Sequence, residues 1–169
     1  MNPVLSAWNE ADEAAATEAM LACCSAKRWA QSMVALRPFQ SVETLSLTAD
    51  EVWSTMEEAD WMEAFASHPR IGGRKAASQP GRSAAWSEQE QSGASGAANN
   101  VLAQLAEGNA TYEQRFGFTY IVCATGKGAD EMLGILERRL ANDRAAELRE
   151  AAEQQRQIIQ IRLRKWLME

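Results

Sequence analysis

Phe116-Gly117-Phe118-Thr119-Tyr120-Ile121-Val122-Cys123-Ala124 is the one apolar stretch of this 169-residue chain that does not pattern as helix. Aromatic and β-branched residues crowd it, so it reads as a short, extended, buried segment near 118–124. Gly126 and Gly128 end it. A lone strand has no partner and cannot make a sheet. The fold class therefore rests on what flanks it, where Ala, Glu, Gln, Leu and Met predominate and β-branched residues are sparse. The expectation is an all-α, single-domain helical bundle spanning 1–169, with about eight helices.

Toward the C-terminus, helices are expected over Ala129 to Ala141 and from Asp143 to the chain end. Toward the N-terminus, Thr111 to Phe116 gives a turn or two. A long helix should run from Ser87 to about Glu107, stopped by Gly108. Gly72 to Arg82, with Gly73, Pro80 and Gly81, reads as loop. Asp60 is placed to cap a short helix, Trp61 to Ala66. Thr48 or Asp50 can start a helix that turns Val52, Trp53 and Met56 to a core. Ser25 to Leu36 puts Trp29, Met33 and Leu36 on one face, and Pro38 ends it. A first helix covers roughly Glu10 to Cys24. No internal repeat or domain boundary is visible.

Hydrophobic content of 46% with 24% charged residues is ordinary for a folded domain, and the net charge of −6 argues against a duplex-binding surface. Met1-Asn2-Pro3 does not open a signal peptide, Trp166-Leu167-Met168-Glu169 is not a peroxisomal address, and no apolar run has membrane-spanning length. The expected compartment is the cytoplasm. Cys23, Cys24 and Cys123 are odd in number and lack CxxC spacing, which supports reduced thiols and neither a disulfide framework nor a zinc site.

His68 is the only histidine, and imidazole is the one common side chain whose unperturbed pKa lies near neutrality, which makes it the first candidate for proton transfer. Pro69 pushes it out of helical geometry, and Gly72 and Gly73 let the backbone turn afterwards. Ser87-x-x-Glu90 has two readings. It matches a capping box, and at a helix N-terminus Ser87, Glu90 and Gln91 would also face one pocket that favours an anion. Arg162 sits in a basic helix with Arg156, Arg164 and Lys165. It is either part of a solvated face or a guanidinium turned inward to grip a carboxylate. Trp53, Trp61, Phe65, Phe116 and Phe118 read as core, and Gly126-Lys127-Gly128 lacks the rest of a P-loop.

Taken in order, His68-Pro69-Arg70-Ile71-Gly72, Ser87-x-x-Glu90-Gln91-x-Gly93-Ala94, Tyr112-x-x-x-Phe116-Gly117-Phe118-x-Tyr120-Ile121-Val122-Cys123-Ala124, Arg139-Leu140-x-Asn142 and Arg162-Leu163 resemble the OHCU decarboxylases. Trp29, Arg37-Pro38-Phe39 and Leu45 also fit, so the resemblance covers nearly the whole chain. It implies an all-helical bundle, commonly a homodimer, that decarboxylates 2-oxo-4-hydroxy-4-carboxy-5-ureidoimidazoline (OHCU) to (S)-allantoin in urate breakdown, with no cofactor and no metal. It further implies His68 and Glu90 as catalytic residues. Pro69, Ser87, Gln91, the backbone strip Tyr120, Ile121, Val122, Cys123 and Ala124, and Arg162 would bind the substrate. Tyr120 stands where phenylalanine is common, and Thr125 where a basic residue often follows. Two other readings share the same residues. One is a His/Glu-dependent hydrolase or isomerase of a related ureide ring, and the other is a non-catalytic helical interaction module.

Overall fold

The computed structural model describes residues 1–72, 81–92 and 99–169. Among these the protein is all-helical, with nine helices and no strand. In order they are α1 (Pro3–Glu10), α2 (Glu13–Cys23), α3 (Lys27–Ala35), α4 (Val42–Ser54), α5 (Glu58–Ala66), α6 (Gly81–Glu90), α7 (Asn99–Phe116), α8 (Ala129–Arg139) and α9 (Arg144–Leu167). Two compact units emerge: Met1–Ala64 with Arg156–Glu169, and Phe65–Gln155.

In the first unit α2 packs on α3 and α3 on α4. The helix expected over Glu10 to Cys24 is α2, and a further short helix that the pattern did not suggest, α1, precedes it. Asn2 caps α1 through Val4 and Leu5 N–H, and Asp12 caps α2 through Ala15 N–H. These caps satisfy donors that an interrupted helix would otherwise leave orphaned. Helix α4 likewise begins at Val42, earlier than Thr48, because Ser41 accepts from Thr44 N–H at 3.1 Å. Asp60 lies inside the first turn of α5, where its carboxylate reaches back to Glu57 N–H (3.0 Å). That is the return half of a capping box. Trp8 anchors the unit through its ring contacts with Phe39 and Trp166 (centroids 6.0 and 5.8 Å apart), and its indole N–H donates to Ala16 O. Trp29, fully buried, donates to Ala49 O. Trp53, Val52 and Met56 are buried as their spacing predicts.

In the second unit α7 packs on α8. The helix expected over Ser87 to Glu107 is two helices, since α6 ends at Glu90 and α7 starts at Asn99. Gly108 does not stop a helix. It lies within α7, where a Cβ would come within 2.6 Å of Leu136 Cδ2 on α8. Leu136 is fully buried, so the missing side chain lets the two helices approach. Thr111 to Phe116 is the last part of α7, not a separate turn. Gly117, at φ 84°, ends α7 with its N–H on Glu113 O (2.8 Å).

The segment 119–124 is neither helix nor strand, although Tyr120 through Ala124 are all buried. Buried backbone polar groups need partners, and here many come from side chains. Arg139 Nη1 donates to Ile121 O (2.6 Å), Cys123 N–H donates to Gln154 Oε1 (2.8 Å), and Lys127 Nζ donates to Cys123 O (2.7 Å). Lys127 N–H closes a turn on Ala124 O, with Gly126 at φ 78° in the position a type II turn reserves for glycine. Arg139 is fully buried and is matched by fully buried Glu147, with Nε 2.7 and 3.0 Å from its two carboxylate oxygens. Burial alone would lower the Arg139 pKa, but the Glu147 hydrogen bond and charge outweigh it and the guanidinium is held above its ordinary value. Tyr112 donates to Glu147 Oε2 (2.9 Å) and packs against Phe116, Phe118 and Tyr120. Tyr120 lies 5.0 Å beneath the Arg139 guanidinium and donates to Met132 O (3.0 Å), which gives a use to the hydroxyl that phenylalanine lacks. Burial, above all, pushes both tyrosine pKa values up, so both stay protonated donors.

Replacing Arg139 with Met should strand the Glu147 carboxylate in the interior. Removing one partner of a buried pair typically costs about 3–5 kcal/mol. Arg138 next to it is exposed, so Arg138→Met should change stability by less than about 0.5 kcal/mol. Urea unfolding of both variants checks the contrast, and equal stabilities would refute it.

Candidate functional site

The junction after α5 begins where the helical ladder ends. His68 N–H returns to Phe65 O (3.1 Å), and Pro69, which is buried, takes the chain away. Phe65 is itself fully buried and packs on Phe118, 5.3 Å between ring centroids, so the start of the junction is fixed by aromatic contact with the 118–124 segment. Gly72 adopts φ 71°, a conformation glycine takes without penalty. Gly73 and the remainder of the expected loop up to Pro80 lie outside the described residues.

Three elements hold the junction. From α9, Gln155 places its Oε1 2.7 Å from His68 Nε2, and Gln155 is 1% exposed. From α7, buried Asn109 donates to Ile71 O (3.3 Å) and Leu105 O (2.9 Å). One turn further along, Glu113 pairs with Arg70 through two 2.7 Å hydrogen bonds. This pair raises the Arg70 pKa, but both side chains keep contact with solvent, so it orients more than it stabilises. The third element is the end of α6, where Gln91 Oε1 accepts from Gly72 N–H (3.0 Å). Gln91 and the His68 junction, grouped by the sequence, are thus brought together.

Ser87 and Glu90 are not where a capping box requires them. They occupy the last turn of α6 (Gly81–Glu90), not its first, so the reciprocal N-terminal cap and an anion site at that helix start are both overturned. The cause is that α6 begins well before Ser87. Their burial has another origin. Ser83, Trp86, Ser87 and Glu90 are all buried, at positions i, i+3, i+4 and i+7, so α6 presents one face inward and that face is mainly polar. A polar inward face is costly unless it is satisfied or serves a ligand. Gly93 and Ala94 lie outside the described residues.

The strip from Tyr120 to Ala124 is buried as expected, and its backbone is already engaged in part. The Cys123 N–H is taken by Gln154, and the Ile121 and Cys123 carbonyls by Arg139 and Lys127. Gln154 and Gln155 are neighbours on α9, separated by about 100° around the helix. One binds the strip and the other binds His68. The Cys123 thiol is buried and not in a disulfide. Cys23 and Cys24 are buried and outside any disulfide too, and burial pushes the Cys24 thiol up to about 12. Thr125 is exposed. Arg162 is 2% exposed and belongs to the first unit, while Arg164 is exposed and Lys165 half-buried. The solvated-face reading therefore fails for Arg162 and holds for Arg164.

Sequence reasoning missed Asn109, Gln154, Gln155 and the pairing of Arg139 with Glu147. A polar residue inside a helix carries no local sign of what it faces. For Asn109 there was one weak signal, since asparagine after glycine mid-helix is a poor helix former and needs a tertiary reason to be there. Among the described residues no cluster of three or more His, Cys, Asp or Glu is arranged to hold a metal ion, and no helix is long and apolar enough to cross a membrane.

The sequence model of OHCU decarboxylase matches residues 9–164. The chain is 37% identical over 145 residues to the uric acid degradation bifunctional protein TTL of Arabidopsis thaliana, covering 85% of this chain but only 44% of that protein. It is 30% identical over 127 residues to a 2-oxo-4-hydroxy-4-carboxy-5-ureidoimidazoline decarboxylase of Amia calva, covering 75% and 73% of the two chains. Among solved structures, an OHCU decarboxylase crystallised in the presence of (S)-allantoin superposes with a TM-score of 0.76 at 31% identity, covering 88% of this chain and 96% of that one.

Proposed function

Because the chain belongs to the OHCU decarboxylase family, we propose that it removes CO2 from OHCU to yield (S)-allantoin in urate breakdown. The observation that carries this is the family match over 9–164, which takes in His68, Glu90 and Arg162 together. The likeness to a structure determined with (S)-allantoin supports the same substrate class. The chain is a single functional domain, working as a homodimer in the cytoplasm on a small-molecule substrate.

The chemistry needs somewhere to place an electron pair. When the bond to the carboxylate breaks and CO2 leaves, the pair moves into the adjacent C=N of the substrate. The hydroxyl-bearing carbon becomes a carbonyl, and a proton must reach the ureido-bearing carbon from one face only. The substrate's own conjugation serves as the electron sink, so the protein's tasks are orientation, charge stabilisation and proton delivery. No cofactor is required for these. His68 handles the proton, since an imidazole exchanges protons readily near neutral pH. Glu90, on the inward face of α6, accepts the substrate hydroxyl or sets the protonation of the imidazole. Ser87 and Gln91 hydrogen-bond the ureido and ring edges. The strip Tyr120, Ile121, Val122, Cys123 and Ala124 lies along the flat heterocycle and reads it through the main-chain groups not already held by Gln154, Arg139 and Lys127. Pro69 forms an apolar wall, and Arg162 binds the anionic oxygens.

The test is to generate OHCU freshly from urate by enzymatic oxidation, add the protein, and follow CO2 release with the circular dichroism of allantoin. Wild type should release CO2 and give the (S) sign, whereas ring opening without CO2 would favour a hydrolase. His68→Asn should fold normally and turn over about 10²-fold or more slowly, the usual scale for losing a general acid–base group. Near-wild-type turnover would remove His68 from the mechanism.

Arg162 and Arg164 provide an internal control, being turned about 200° apart on one helix. Arg162→Lys keeps the charge and loses the planar fork, so kcat/KM should fall about tenfold or more. Arg164→Lys, at an exposed site, should change it less than about twofold. Steady-state kinetics decide, and equal small effects would leave the carboxylate without its proposed partner.

A further inference from the structure

We propose that Gln155 is a positioning residue that fixes the tautomer and orientation of His68. The inference deepens the proposed function and rests on His68 being the group that handles the proton.

A neutral imidazole has one N–H donor and one lone-pair acceptor, and what each nitrogen faces decides which is which. His68 Nε2 faces the side-chain carbonyl oxygen of Gln155 at 2.7 Å. A carbonyl oxygen only accepts, so Nε2 must be the protonated nitrogen. The basic lone pair of the neutral ring is then on Nδ1, and proton exchange at His68 runs through Nδ1. Gln155 can hold this setting firmly. It is 1% exposed, it lies within a long helix, and its neighbour Gln154 is committed to Cys123 N–H, so that turn of α9 is tied at two points. Pro69 and the Phe65 carbonyl restrain the His68 backbone, and the Gln155 hydrogen bond restrains the ring. An amide suits this task better than a carboxylate. It accepts the hydrogen bond without adding a negative charge that would favour the imidazolium.

The chain has a single histidine, so one experiment reads this directly. Tag-free, uniformly 15N-labelled protein near pH 8, above the ordinary imidazole pKa of about 6.5, gives one imidazole spin system in long-range 1H–15N spectra. The expected spectrum has Nε2 protonated and Nδ1 unprotonated. Gln155→Met, close in length but without the acceptor, should give a mixed or averaged tautomer and a kcat lower by about 10- to 100-fold, with KM within about threefold. Gln155→Glu keeps an acceptor, so it should retain the Nε2–H tautomer and recover much of the kcat lost in Gln155→Met. A wild-type spectrum with the proton on Nδ1 would overturn the proposal whether or not the variants fold. So would an unchanged tautomer and kcat in Gln155→Met. The two levels of the account fail separately. If the tautomer depends on Gln155 while His68→Asn remains active, the positioning stands and the role of His68 in proton transfer falls. If His68→Asn is inactive and the tautomer ignores Gln155, the reverse holds.

Discussion

A buried ion pair, Arg139 with Glu147, is the constraint on which the second unit depends. The segment 119–124 runs through the interior without a helical or sheet ladder to satisfy its backbone. Folding such a segment is favourable only if side chains supply the missing partners. Arg139 does so at the Ile121 carbonyl, and it can be buried only because Glu147 neutralises it and Tyr112 supports Glu147 in turn. Even so the match is incomplete, for Arg139 Nη2 makes no hydrogen bond among the described residues. Buried pairs of this kind rarely add net stability over a well-packed apolar core, because desolvation offsets the attraction. Its value here is specificity, since an apolar substitute could fill the space but could not hold the Ile121 carbonyl.

The same strategy recurs at the His68 junction. That turn too is irregular backbone, and helices reach across to hold it: Asn109 and Glu113 from α7, Gln155 from α9 and Gln91 from the end of α6. Irregular backbone gives catalytic groups freedom of direction that a helix face lacks, and rigid helices around it remove the unwanted freedom. The adjacent pair Gln154 and Gln155 ties strip and junction to one turn of one helix. A substrate bound against both would meet groups whose positions are set together.

Much of the all-helical architecture was legible in the sequence, because composition and the isolation of Phe116–Ala124 leave no partner for a sheet. Helix ends were harder to read. The start of α1 depends on the Asn2 cap, that of α2 on Asp12, and the early start of α4 on Ser41, each a single polar residue among several equivalent ones. Gly108 misled because glycine has two meanings in a helix, and only the approach of Leu136 distinguishes packing from termination. Ser87-x-x-Glu90 misled in the same way, since i, i+3 spacing marks either a cap or one inward face. The burial of Ser83 and Trp86 selects the second. His68 and Arg162 were singled out because residue type alone raises the question of function, and Gln91 because it follows Ser87-x-x-Glu90. Gln154, Gln155 and Asn109 were not, because an amide in a helix becomes informative only when its partner is known.

If side chains stand in for a ladder, 119–124 is held as firmly as a helix. Native-state amide hydrogen exchange at Cys123 measures this, since its N–H is committed to Gln154. Protection should approach that of the core amides of α7 and α9, with opening only on global unfolding. Exchange at the rate of an exposed loop, while those helices stay protected, would contradict it.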